Sequence, residues 1–307
     1  MFKKLFTAAI GAVFLLSSTA GMAFAAPETV QAKLAAIEED TYGVEQTGAL
    51  IDRINKLEKD YDGQHRSGSM MARVDALYNE IYTNSTKPSV LTDLNAIEWN
   101  IDHEVSMASV DKRVADMEMK LTGSTGEGNY QSRIDALAKA SFGTNVVPVM
   151  PVDVPANTLV KIELVTPVKS KELKAKDTIQ FKVADDVVVN GMLVFAKGSP
   201  GEGVVTKVKQ ARNFGRNAEV SVDFHQTKSV DGTYVDTFTG EESKKEMKSL
   251  AMAGGASLAG IAILGPIGIV GGAFVHGKDV DLPAGTQMYI QTKADKTLYG
   301  VQTTLAQ

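Results

Sequence analysis

The side chains best suited to chemistry are scattered. The four histidines, His65, His103, His225 and His276, form no HExxH or other ligand-spaced pair, so no metal site is expected. Ser109-Val110-Asp111-Lys112 has the S-x-x-K spacing of acylating serine enzymes. No SDN or KTG element accompanies it, and chance explains the match. Gly201-Glu202-Gly203 lacks the third glycine of a phosphate-cradling loop and reads as a turn at a strand start. There is no P-loop and no GxSxG, and no carboxylate pair is singled out by spacing for acid–base work. The expectation is a protein with no catalytic residue, cofactor or metal. A cell-wall hydrolase would need the fold to gather distant carboxylates into one cleft.

One group of charges does recur. Lys33, Arg53, Arg73, Arg113 and Arg133 stand at twenty-residue intervals, with Asp93 interrupting the column. They have two readings. As a solvated flank, their aliphatic stems cover the core edge. As a ladder, Arg53, Arg73, Arg113 and Arg133 contact an anionic partner such as a cell-wall polymer or lipid headgroups.

The elements that carry this column are six repeats of twenty residues, beginning at Val30, Leu50, Met70, Val90, Val110 and Tyr130. Their fifth positions (Leu34, Ile54, Val74, Leu94, Val114, Ile134) and eighth positions (Ile37, Leu57, Leu77, Ile97, Met117, Leu137) are all apolar. Positions 1, 5, 8 and 12 lie on one helical face, so each repeat predicts one amphipathic helix. Ser69, Ser89, Ser109 and Asn129 are placed to cap the helix starts, and Gly43, Gly63, Gly123 and Gly143 the ends. Single helices of this length cannot bury their stripe alone, so a bundle or small solenoid is expected. Trp99, the only tryptophan, reads as a packing anchor.

The start of the chain reads as a secretory signal over residues 1–25: Lys3 and Lys4, an apolar run from Leu5 to Leu16, and the A-x-A site Ala23-Phe24-Ala25. With no cysteine, the exported protein has neither a lipid-anchoring thiol nor a disulfide. A formal charge of −5 argues against nucleic-acid binding, which relies on phosphate neutralisation.

Beyond the helical repeats (26–143), Pro148, Pro151 and Pro155 mark a Pro-rich connector over 144–155. From there to 307, β-branched residues alternate with polar ones in short runs. Asn190-Gly191 and Asp231-Gly232 are hairpin signals, and a small antiparallel barrel or sandwich is predicted. VPANT (154–158), FAKGS (195–199) and LPAGT (282–286) read as tight turns entering strands. The chain is thus expected to be an α+β multidomain protein.

An apolar, glycine-rich segment without charge covers 249–275. Its length would span a bilayer, and Gly268 with Gly272, and Ala256 with Gly260, are small-residue pairs suited to close helix contact. Gly265-Pro266 breaks it near the middle, so two short helices forming a hairpin fit as well as one span. The candidate membrane or oligomer contacts are therefore Ala256, Gly260, Gly265, Pro266, Gly268 and Gly272.

Two resemblances add to this. The order Pro155-Ala156-Asn157-Thr158, Ser170-Lys171, Asp185-Asp186-Val187, Lys197-Gly198-Ser199, Phe214-Gly215-Arg216, Asp231-Gly232-Thr233 and Pro283-Ala284-Gly285-Thr286 resembles the TrbI-like β-barrel domain of conjugation and type IV secretion channel scaffolds. In that family a helical hairpin just before the last such turn enters the outer membrane when subunits form a ring. The resemblance implies a β-barrel, homo-oligomerisation and membrane contact through 249–275. The family's inner-membrane span and proline-rich arm have no counterpart here. The repeats loosely resemble helical-repeat envelope proteins of diderm Firmicutes. Together these readings suggest a non-catalytic scaffold exported to the periplasm or outer membrane of a diderm bacterium, its repeats touching a cell-wall polymer or an envelope protein. The alternative is a secreted membrane-perturbing factor.

Overall fold

The computed structural model describes residues 27, 29–85, 87–211, 217–254 and 279–303. The expected signal at 1–25 lies outside the described residues. The six repeats are six helices of thirteen residues: α1 (Val30–Tyr42), α2 (Leu50–Asp62), α3 (Met70–Tyr82), α4 (Val90–Asp102), α5 (Val110–Thr122) and α6 (Tyr130–Phe142). Their fifth and eighth positions are buried throughout. Ser69, Ser89 and Asn129 accept the expected capping bonds from Ala72, Thr92 and Ser132, whereas Ser109 makes no side-chain cap bond. Gly43, Gly63, Gly123 and Gly143 end their helices with φ between 77° and 81°, a conformation that a Cβ would strain. Helix α1 packs on α3 and α5, α4 on α6, and α2 on α6. These cross-contacts close the helices into a globule, with Thr41 and Tyr61 hydrogen-bonded inside it at 2.9 Å.

The stretch expected to be a connector is built into the fold. Val149–Val154 form β1, which pairs along its length with Lys296–Gln302 (β12). Pro151 is tolerated there because β1 is the edge of a four-stranded sheet in the order β1-β12-β6-β5. Strands β5 (Val187–Val189) and β6 (Met192–Phe195) form the hairpin signalled by Asn190-Gly191, whose φ values of 52° and 78° suit a type I′ turn.

Of the two predicted β architectures, the chain adopts the barrel. Strands β2 (Leu159–Leu164), β4 (Thr178–Val183), β7 (Pro200–Lys209), β8 (Glu219–Lys228), β9 (Tyr234–Phe238) and β11 (Gln287–Thr292) close in the order β11-β2-β4-β7-β8-β9. Every pairing is antiparallel. The short strands β3 (Val168–Lys169) and β10 (Asp281–Leu282) pair with each other. Gly201-Glu202-Gly203 is not a turn: it lies within β7. Both glycines face inward, and a Cβ on Gly201 would come within 2.2 Å of Phe181. They make room for the edge-to-face pair of Phe181 and Phe224, with centroids 5.5 Å apart at the barrel's centre.

The four-stranded sheet is the shared layer. Leu193 and Val301 point into the helical core, while Val194, Phe195 and Leu298 point into the barrel core. Residues along β6 and β12 thus serve two cores at once.

Candidate assembly interface

The basic column turns inward. Arg53, Arg73, Arg113 and Arg133 donate from Nε to Glu38, Glu58, Glu98 and Glu118 at 2.9, 2.8, 2.9 and 2.9 Å. A second nitrogen of each guanidinium bonds the same glutamate. Each glutamate also accepts the backbone N–H eight residues on, from Gln46, Arg66, Ser106 and Gly126 at 3.0, 3.0, 3.0 and 2.8 Å. One carboxylate therefore ties a helix, the loop after it and the next helix. At Glu118 the bonds from Arg133 hold the carboxyl below the usual carboxylate range. At Glu58 burial opposes ionisation, but the bonds from Arg73 and the Arg66 backbone outweigh it and the pKa is lowered. The four guanidinium groups are spent on these internal ties, so neither the solvated flank nor a free ladder describes them. The glutamates at position nine were missed in the sequence, though they share the arginines' period.

The third loop breaks the pattern. Position nine of the third repeat is Tyr78 and position four of the fourth is Asp93. Here Asn84 takes over: its Oδ1 accepts from the Ser89 backbone N–H at 2.8 Å and the Thr92 hydroxyl at 2.7 Å. Its Nδ2 reaches into the β-domain, donating to the Asp231 carbonyl at 3.0 Å.

Helix α4 continues that seam. The Thr92 hydroxyl also lies 3.0 Å from the Asp231 carbonyl, Asn95 donates to the Val230 carbonyl at 2.9 Å, and Trp99 Nε1 to Asp186 at 2.8 Å. Beyond it, the Val105 backbone N–H donates to the Lys197 carbonyl at 2.7 Å, and Glu104 pairs with Lys197 at 3.1 Å. Leu91, Trp99 and Val105 share one core with Leu193, Ala196, Val230 and Val301. Trp99 is thus a packing anchor, and the fourth repeat's departures are docking residues.

The turn motifs have structural duties as well. Asn157, Gly198 and Gly285 each take positive φ, of 65°, 89° and 87°. Thr158 and Thr286 each donate to the carbonyl of the proline opening their turn, at 2.7 Å. Phe214-Gly215-Arg216 lies outside the described residues.

The ends of the apolar segment are fastened to the barrel. Helix α7 (Glu241–Gly254) packs against β11; Ser243 donates its backbone N–H to Gln291 at 3.1 Å, and Met247 is buried in the barrel core. On the far side, Ser170 and Val280 exchange two hydrogen bonds at 2.9 and 3.1 Å, and Lys171 pairs with Asp279 at 2.6 Å. The candidate contacts Ala256, Gly260, Gly265, Pro266, Gly268 and Gly272 lie outside the described residues. Among the described residues no helix is long and apolar enough to cross a membrane, and no cluster of three metal-ligating side chains occurs.

No protein-family profile and no curated protein matches the chain. One solved structure it is similar to is ComB10 of the Com type IV secretion system of Helicobacter pylori. That match has 13% identity and a TM-score of 0.26, covering 47% of this chain and 88% of the other. The likeness is slight, and function has to be read from this chain's own geometry.

Proposed function

We propose that the chain is a non-catalytic, exported cell-envelope protein: a scaffold that presents the apolar segment 249–275 for contact with a membrane or with further copies of itself. What carries the reading is the double fastening of that segment. It leaves the barrel through α7, clamped on β11 by Ser243 and Met247, and returns through Ser170–Val280 and the short β10–β3 pair. A charge-free stretch of this length, anchored at both ends to a closed barrel, suits an element that inserts or associates while the body stays folded. The helical globule stiffens the mount, since α4 shares a core with the β-sheet.

The test is fractionation of the full chain beside a deletion of residues 251–274, followed by size analysis in mild detergent. The scaffold predicts that the full chain sediments with outer membrane as a large species, and that the deletion is soluble and small. Two soluble monomers would overturn it. Release of the full chain into the medium would instead favour the membrane-perturbing factor.

A further inference from the structure

The methionines fall into two groups. Met117 is buried in the helical core, and Met247 and Met288 are buried in the barrel core. Met70, Met71, Met107, Met119 and Met150, by contrast, are each between 45% and 61% exposed. Methionine is among the residue types most often found inside a protein, so five such exposures in one chain call for a reason. Packing does not supply one. Met119 stands at position ten of its repeat, where Glu39, Lys59, Asn79 and Lys139 stand in others and Trp99 docks on the β-domain. Met107 takes the place held elsewhere by Thr47, Ser67, Lys87 and Glu127. Polar side chains serve at most of these equivalent positions.

What methionine has and those residues lack is a thioether, which two-electron oxidants convert to a sulfoxide. A thiolate would compete for such oxidants, but the chain has no cysteine. Oxidation makes an apolar side chain polar, which disrupts a core and is tolerated in solvent. Helix α5 sets the two cases two residues apart: Met117 is turned to the core and Met119 to solvent.

We infer that Met70, Met71, Met107, Met119 and Met150 are sites of reversible oxidation that consume hypohalous acid before it reaches the core methionines. The thioether takes the chlorine of hypochlorous acid and hydroxide leaves. Water then attacks the sulfur, chloride departs, and of the two protons released one neutralises the hydroxide. Sulfur is oxidised by two electrons and the chlorine is reduced to chloride. Methionine sulfoxide reductases, one for each epimer, restore the thioether, and an exposed sulfoxide can be reached without unfolding. Neither the envelope location nor the apolar segment enters this chemistry, so it and the scaffold can fail separately.

The experiment adds hypochlorous acid stepwise to the full chain, up to one equivalent for each of the five exposed thioethers, and maps sulfoxides by peptide mass spectrometry. Met119 is expected to be oxidised at least about tenfold more than Met117 in the same peptide, because a core thioether reacts only through local opening. The circular dichroism spectrum should stay native, and the two reductases should remove the added oxygen. A variant combining Met70→Leu, Met71→Leu, Met107→Leu, Met119→Leu and Met150→Leu conserves side-chain volume and should fold. It should oxidise Met117 and lose native ellipticity at a dose about five equivalents lower, one for each thioether removed. Equal oxidation of Met117 and Met119 in the wild type overturns the inference without recourse to any variant. Unfolding as the surface sulfoxides form overturns the reversibility. An unchanged dose in the variant overturns the protective role.

Discussion

Four of the five loops between helices are held from within by a glutamate, an arginine and a backbone N–H; the third is held from outside. In the fourth loop Glu98 ties Ser106 to Arg113. In the third, Asn84 replaces that tie and passes part of the burden to Asp231. The two solutions support loops between helices of the same length, so the difference is one of surroundings. A repeat can lose its own tie where a neighbouring body provides support, and a break in a repeated polar pattern marks an interface.

The largest test of that contrast removes a tie. Glu98→Ala leaves Arg113 buried without its carboxylate and the Ser106 N–H without its acceptor, and should cost about 3–5 kcal/mol by urea unfolding. Replacing Glu98 and Arg113 together by leucine should recover most of the loss. A loss within about 0.5 kcal/mol, the range of an ordinary surface change, would mean that the tie is ornamental.

A middle-sized effect separates the seam from a free cap. Gly198 has φ +89°, and a Cβ there would come within 2.1 Å of the Val105 carbonyl oxygen across the seam. Gly143 has φ +77° and nothing within 4 Å. Gly143→Ala should cost only the left-handed strain, about 1–2 kcal/mol. Gly198→Ala adds displacement of Val105 and should cost about 2–4 kcal/mol. Equal losses in thermal unfolding would place the seam elsewhere.

The smallest effect has opposite signs at the two places. Burial first, then the nearby Asp135, pushes the Asp93 carboxyl up to about 6, with Lys87 partly offsetting them. The folded state then binds this proton more tightly than the unfolded chain, so the contribution of Asp93 to stability rises as pH falls from 6 toward its ordinary value. At Glu118 the pKa is held down, so its contribution is present near neutrality and is lost as pH falls through the lowered value. Asp93→Asn should therefore stabilise by about 1–2 kcal/mol near pH 7.5 and by nothing near pH 4. The same gain at both pH values would remove Asp93 from the account.

Much of this architecture was legible in the sequence because it follows from local rules. Apolar spacing placed all six helices, glycine placed four of their ends, and Asn190-Gly191 placed a hairpin. What escaped depends on long-range partners. The column at position four was visible, but its inward turn is set by a glutamate fifteen residues back, on another helix. Pro151 reads as a connector because nothing local reveals that β12 will pair on only one side of it. Gly201 and Gly203 read as a turn because their reason, the rings of Phe181 and Phe224, lies on neighbouring strands.

The pairing of β9 with β11, Gln291 against Phe238 and Thr292 against Thr237, closes the barrel across everything between them. About fifty residues of chain, the apolar segment included, lie between the two strands of that closure, with α7 and the β10–β3 pair fastening the ends of the segment. Ring-closure entropy grows only with the logarithm of length, so halving or doubling the excursion changes the barrel's stability by about 0.6 kcal/mol. The barrel is therefore nearly indifferent to how long its passenger is. The passenger's length and composition are left free to follow whatever it touches.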